Sequence, residues 1–184
     1  MSEEKSPAKP KPVIVAIARR DHRGDAPRTE EFEVAIDEEA TLHDLLVEIA
    51  AHPVPRKGAR VAPPAWEAHC LEGSCGGCAI RAGGRAVLAC TTQIAEVTKR
   101  RGVVVLEPLG VFPVVRDLIV DHAERDRDID AMTFAANEKP RDEPTGDAAP
   151  EVGVAVTVAI TLGLGGCIAC GACLDACPEA HLAG

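Results

Sequence analysis

Eight cysteines stand in two ordered groups, and they are the residues through which this chain can do chemistry. The first group is Cys70-x4-Cys75-x2-Cys78-x11-Cys90, and the second is Cys167-x2-Cys170-x2-Cys173-x3-Cys177, followed by Pro178. Thiolate sulfur is a soft metal ligand, and each group offers four. The first spacing is that of [2Fe–2S] ligands and the second that of cubane-type clusters. No cysteine is left over for another task, so the pattern points to movement of electrons.

A [2Fe–2S] rhomb needs four thiolates to converge. Here three come from one tight loop and one from a neighbouring strand. Gly73, Gly76 and Gly77 let the loop curl without Cβ clashes, so that its N–H groups can face the cluster. In the second group, steps of three place Cys167, Cys170 and Cys173 around one cube, while Cys177 belongs to a different cluster. Gly171 keeps that loop compact and Pro178 turns the chain away. A structural zinc site is the competing reading of either quartet. Zinc sites favour two C-x2-C knuckles, and the first group has one knuckle, with Cys70 and Cys90 outside it. A redox dithiol or four disulfides are further alternatives.

Other chemistries lack support. His69 adjoins Cys70, yet a Rieske centre needs two histidines in place of two cysteines, and here the four cysteines are complete. His69, like His22, His43, His52, His122 and His181, is expected to be a packing or surface residue. No Ser/His/Asp arrangement, phosphate loop or dinucleotide fingerprint appears, so no catalytic residue is assigned. A net charge of −9 and an aromatic content of 2% argue against nucleic acid as a partner.

The elements that must position the cysteines follow from the pattern of apolar residues. Met1 to Pro12 is polar, has no apolar core of a secretory signal, and is expected to be a disordered tail. The thiols are then expected to stay in a reducing compartment, where paired cysteines are more often metal ligands than disulfides. Val13 to Arg19 reads as a strand, and Phe32, Val34 and Ile36 alternate as a second. Thr41 with Asp44 forms a capping box for a helix whose Leu42, Leu45, Leu46 and Ile49 share one face, ended by Pro53. Ala79 to Ala82 and Arg85 to Ala89 flank Gly83-Gly84 as a hairpin, and Val103 to Leu106 adds a strand. Val115, Leu118, Ile119 and His122 recur at helical spacing after Pro113, predicting a helix that runs to about Met132. Residues 137–151 are rich in Pro, Asp and Glu and read as a linker. The run Val152 to Gly166 is too short and too glycine-broken to cross a membrane as a helix.

With both groups in place, the chain resembles the iron–sulfur subunits of succinate dehydrogenase and fumarate reductase. The resemblance rests on the loop from Pro64 to Cys78, on Leu106-Glu-Pro-Leu109, on Phe112-Pro-Val-Val-Arg-Asp-Leu-Ile-Val-Asp121, and on the run from Cys167 to Pro178. It covers roughly Val13 to Ala183.

The resemblance implies an α+β fold. A β-grasp ferredoxin-type domain is expected over 13–110, a connecting helix over 111–136, a linker over 137–151, and the start of a helical bacterial-ferredoxin-like domain over 152–184. It also implies that Cys70, Cys75, Cys78 and Cys90 hold [2Fe–2S], that Cys167, Cys170 and Cys173 hold [4Fe–4S], and that Cys177 gives one ligand to [3Fe–4S]. The implied partners are an FAD-carrying flavoprotein subunit, a membrane-anchor cytochrome b-type subunit and its quinone, with the chain peripheral on the cytoplasmic face of the inner membrane. The family's later cysteine group is missing before Gly184. A fragment or a truncated gene is therefore expected, with only the first cluster fully ligated. A cluster module of another oxidoreductase such as a hydrogenase, or a zinc-stabilised interaction protein, is the alternative reading.

Overall fold

The computed structural model describes residues 11–98, 102–127 and 166–181. In chain order the elements are β1 (Lys11–Arg19), β2 (Arg28–Ile36), α1 (Leu42–Ala51), β3 (Ala79–Ala82), β4 (Arg85–Leu88), α2 (Ile94–Val97), β5 (Val103–Glu107), β6 (Val114–Arg116), β7 (Ile119–Val120) and α3 (Ala172–Asp175). A short 3-10 turn, Glu179–His181, follows α3. Strands β2-β1-β5-β3-β4 form one mixed sheet in that spatial order. β1 and β5 run parallel, and the other neighbours are antiparallel.

The two-residue period of a strand decides which face is buried. On β1 it turns Val13, Val15 and Ile17 into the core. Val15 stands opposite Phe32 on β2 and Val104 on β5, and Ile17 stands opposite Leu106. Helix α1 covers this face with Leu42, Leu45, Leu46 and Ile49, all buried. Burying each such side chain is worth about 2 kcal/mol. The expected capping box is present: Asp44 N–H donates to Thr41 Oγ1 at 3.2 Å, and Thr41 N–H donates to Asp44 Oδ2 at 3.0 Å. The helix ends with His52 as its C-cap, directly before Pro53.

β1 begins at Lys11 rather than Val13, so two residues of the expected tail are strand; residues 1–10 lie outside the described residues. The larger departure is at Pro113. The expected helix does not start there: β6 and β7 make a two-stranded hairpin, Val114 opposite Val120, and among the described residues of this segment helical backbone is found only at 123–127. Asp117 causes the break. It sits at φ 46° in the left-handed region, where no right-handed helix can continue.

Tertiary bonds hold Asp117 there. Its Oδ1 accepts from Arg19 Nε at 3.0 Å and from Arg20 N–H at 2.9 Å, and its Oδ2 accepts from Ala65 N–H at 2.9 Å. Arg19 follows Val13, Val15 and Ile17 on the inward face of β1. It also donates to Glu30 at 2.6 Å and to the Ala62 carbonyl at 2.9 Å. One buried guanidinium thus ties β1, β2, the approach to the first cysteine group and the β6–β7 turn together.

The described residues fall into two compact units: one takes in the chain up to Val120 and again from Ala169, the other spans Asp121–Ile168. Of the described residues, 169–181 therefore belong with the sheet. The linker over 137–151 and the run from Val152 to residue 165 lie outside the described residues. Among the described residues no helix is long and apolar enough to cross a membrane.

Candidate metal centre

The β3–β4 hairpin does the first work of assembly. Gly83 and Gly84 have φ of 60° and 88°, the pair of positive values that a tight hairpin turn of this hand demands. The resulting register sets Ala79 opposite Leu88, so Cys78 and Cys90 emerge side by side just beyond the strand ends. Ala89 N–H donates to the Cys78 carbonyl at 3.0 Å. The two sulfurs lie 3.3 Å apart, and both residues are buried. That separation is far beyond a disulfide bond of about 2.05 Å, and neither of these two thiols is in a disulfide. Helix α1 steadies the Cys90 side, with His43 N–H on the Ala89 carbonyl and Leu42 N–H on the Thr92 carbonyl, both at 2.9 Å.

The loop from Cys70 to Gly77 supplies the other two sulfurs. Gly73, at φ 76°, lies so near the chain after Cys90 that a Cβ would meet Thr91 Cγ2 at 3.0 Å. Ser74 N–H donates to Cys70 Sγ at 3.3 Å. His69 is exposed, and its ring lies over Gly77, where a Cβ would meet His69 Cδ2 at 2.7 Å. It is a packing residue of the loop, as the sequence suggested. Cys70 is half-buried and Cys75 exposed, so the quartet has a buried side, Cys78 with Cys90, and an open side.

Electrostatics follow that division. Hydrogen bonding from Ser74, then from the Glu72 backbone and Cys75, brings the Cys70 thiol down to about 5. Burial, with Cys78 alongside, pushes Cys90 up to about 11. Cys70 is thus already a thiolate near neutrality, whereas Cys90 must give up its proton when it takes a metal.

The donor set suits an iron–sulfur group: soft sulfur ligands, a backbone N–H on Cys70 Sγ, and a loop whose Gly73 lies close against Thr91, in the turn that carries Cys90. Among the described residues no three His, Cys, Asp or Glu side chains form a site for a single metal ion. Pairs would suffice for a cluster with two thiolates at each iron, and Cys78 with Cys90 would make one such pair.

The second group is built differently. Cys170, Cys173 and Cys177 follow one another along a turn, α3 and its exit, with Ala169 at φ 53° and Gly171 at φ 76°. Cys170 packs beside Ala79, Leu109 and Val120. Cys167, which falls in the other unit, is exposed. Sequence reasoning missed two features here. Gly171 lies against Phe112, so that a Cβ would fall on its ring. Asp175, between Cys173 and Cys177, is buried and accepts from Gly110 N–H at 2.6 Å. A carboxylate on a short helix carries no sequence signal of burial.

Comparison with known proteins agrees with this geometry. The family described as "2Fe-2S iron-sulfur cluster binding domain" matches residues 14–127. The succinate dehydrogenase iron-sulfur subunit of Bacillus subtilis is 32% identical over 185 residues, which is 98% of this chain and 67% of that protein. The fumarate reductase iron-sulfur subunit of Escherichia coli is 30% identical over 156 residues, 84% of this chain and 58% of that protein. This chain therefore spans about two thirds of the length of these relatives or less. A chain of the Mycobacterium smegmatis Sdh1 complex in the apo form shares the fold, with a TM-score of 0.66 at 21% identity over 94% of this chain and 66% of that one. The cysteine spacings, the hairpin that joins Cys78 to Cys90 and these relatives lead to one assignment: the chain belongs to the family of succinate dehydrogenase and fumarate reductase iron–sulfur subunits.

Proposed function

We propose that this chain is the electron-relay part of a succinate dehydrogenase or fumarate reductase, passing single electrons between an FAD-carrying flavoprotein subunit and quinone at a membrane-anchor subunit. Cys70, Cys75, Cys78 and Cys90 would hold [2Fe–2S]. Cys167, Cys170 and Cys173 would hold [4Fe–4S], and Cys177 would serve [3Fe–4S]. The finer architecture we infer is a β-grasp cluster domain over 13–110 and the beginning of a helical cluster domain over 152–184. The strand order of the mixed sheet supports the first part, and α3 with its following turn supports the second.

One observation carries the reading: the β3–β4 register delivers Cys78 and Cys90 to within 3.3 Å of each other, beside a loop in which a backbone N–H already meets sulfur. When bound, an iron–sulfur group supplies reversible one-electron chemistry at a potential set by charge, hydrogen bonds and exposure. The chain's part is to fix those three quantities. Ser74 N–H donates to Cys70 Sγ, and hydrogen bonding from the Ser74 side chain favours the ionised form of the thiol. Cys78 and Cys90 exclude water on the sheet side, and Cys75 leaves the other side open to a partner.

The test is anaerobic loading of the full chain with iron and sulfide. Equal iron and sulfide, with an EPR signal that appears on reduction and is lost in Cys90→Ser, is the expected result. A colourless chain that retains zinc and shows no such signal would overturn the reading. Co-purification of a flavoprotein would separate this family role from a cluster module of another oxidoreductase.

A further inference from the structure

A buried carboxylate ties the segment from Cys170 to Cys177 to the first sheet. Asp175 lies between Cys173 and Cys177, and its side chain is 3% exposed. Its Oδ1 accepts from Gly110 N–H at 2.6 Å, and its Oδ2 lies 3.6 Å from Arg81 Nη1. Arg81 is on β3, the strand that begins directly after Cys78. Gly110 follows Leu109, which packs with Ala79, Val120 and Cys170. Nearby, Gly171 rests on Phe112. Other side chains of the segment face solvent. Leu174 on α3 is 39% exposed, and Cys173 is exposed.

A buried carboxylate without partners would cost several kcal/mol. Asp175 is therefore tied to the Gly110 N–H and the Arg81 guanidinium that offset this cost, and those contacts fix where its segment sits. From this geometry we infer that Asp175 is a positioning residue: it latches the Cys170–Cys173–Cys177 segment to the strand that follows Cys78, and so sets the separation of these three cysteines from Cys78 and Cys90 before any metal is present. The latch is charge-assisted and short. Its contacts include Gly110 N–H and Arg81. The inference rests on the relay reading only for its purpose, because electron transfer between two groups needs a fixed distance. The latch itself is a property of the metal-free chain.

The test is timed alkylation of the reduced, metal-free full chain with N-ethylmaleimide, with each thiol followed by mass spectrometry. Asp175→Ala is expected to label Cys170 and Cys177 about tenfold faster, the opening that corresponds to loss of one charge-assisted hydrogen bond. Labelling of the exposed Cys75 should not change. Asp175→Asn keeps an oxygen for Gly110 N–H, so it should restore most of the protection. A role in general stability alone would raise labelling at Cys78 and Cys90 as well. Arg81→Gln gives an independent variant and should produce a smaller, same-signed change at Cys170 and Cys177. Unchanged rates at Cys170 and Cys177 in Asp175→Ala would overturn the latch. A rise at all thiols together, Cys78 and Cys90 included, would overturn it too, since the carboxylate would then serve the whole fold. Failure of the relay reading is seen elsewhere, in the iron and sulfide content of the wild-type chain.

Discussion

Arg19 and Asp117 are 98 residues apart in the chain, yet Arg19 Nε meets Asp117 Oδ1 at 3.0 Å with both side chains fully buried. The remaining polar atoms of this pair are placed against other elements. Asp117 satisfies the backbone of Arg20 and Ala65, and Arg19 satisfies Glu30 and Ala62. The pair fixes the entry to the cysteine loop, because Ala62 and Ala65 lie just before Cys70.

Removing one partner of this pair strands the other in the interior. Asp117→Ala should lower stability by about 3–5 kcal/mol in urea denaturation, the usual cost of an orphaned buried charge. Asp117→Asn should lose less, since asparagine accepts the left-handed backbone and still offers an oxygen to Arg20 N–H. Equal stability of the alanine variant and the wild type would show that the network contributes nothing.

The two cysteine groups should separate in their response to substitution. Cys78→Ser should abolish the reduced [2Fe–2S] EPR signal of the loaded chain and lower bound iron. Cys170→Ser should leave that signal intact. Loss of the signal in both variants would mean that the groups do not act as distinct sites.

Thiol reactivity in the metal-free chain should depend on pH over different ranges at Cys70 and Cys90. Cys70, brought down to about 5, is already thiolate at pH 7, so its alkylation rate should be nearly flat from about pH 7 to 9. Cys90, pushed up to about 11, should stay unreactive through that range and gain rate only as pH approaches 11. Rates that rise in parallel for both, with a midpoint near an ordinary thiol, would contradict the asymmetry.

Gly171→Ala should loosen the second cysteine segment by two separable effects. A left-handed φ of 76° costs an alanine about 1–2 kcal/mol, and the new methyl would fall on the Phe112 ring. Limited proteolysis after residue 169 should speed up in the variant. Adding Phe112→Ala should recover the steric part and leave the backbone part. Full recovery, or no change in the first place, would count against this contact.

Much of the fold was legible because local pattern and tertiary need agree. Thr41 and Asp44 cap α1 with bonds made inside one turn, and Val13, Val15 and Ile17 alternate as a half-buried strand must. The approach of Cys78 to Cys90 was legible because a glycine-turned hairpin between them sets their spacing. The segment after Pro113 was misread for a physical reason. Val115, Leu118, Ile119 and His122 do fit a helical face, but Asp117 is turned left-handed by Arg19 and Arg20, distant in sequence. One clue was available. Arg19 shares the inward parity of β1, and an inward arginine demands a carboxylate somewhere. Asp175 gave no comparable warning, since its partners are a backbone amide and a strand residue that only the fold brings near.

The parallel pairing of β1 with β5 has a consequence for biosynthesis. Ile14 sits beside Val103, so the middle of the sheet closes only after the ribosome has made the whole stretch between them, Cys70 through Cys90 included. The nascent chain therefore has all four sulfurs of the first group in hand before its centre can lock. Iron delivered earlier would meet an open hairpin; iron delivered later meets a finished cradle.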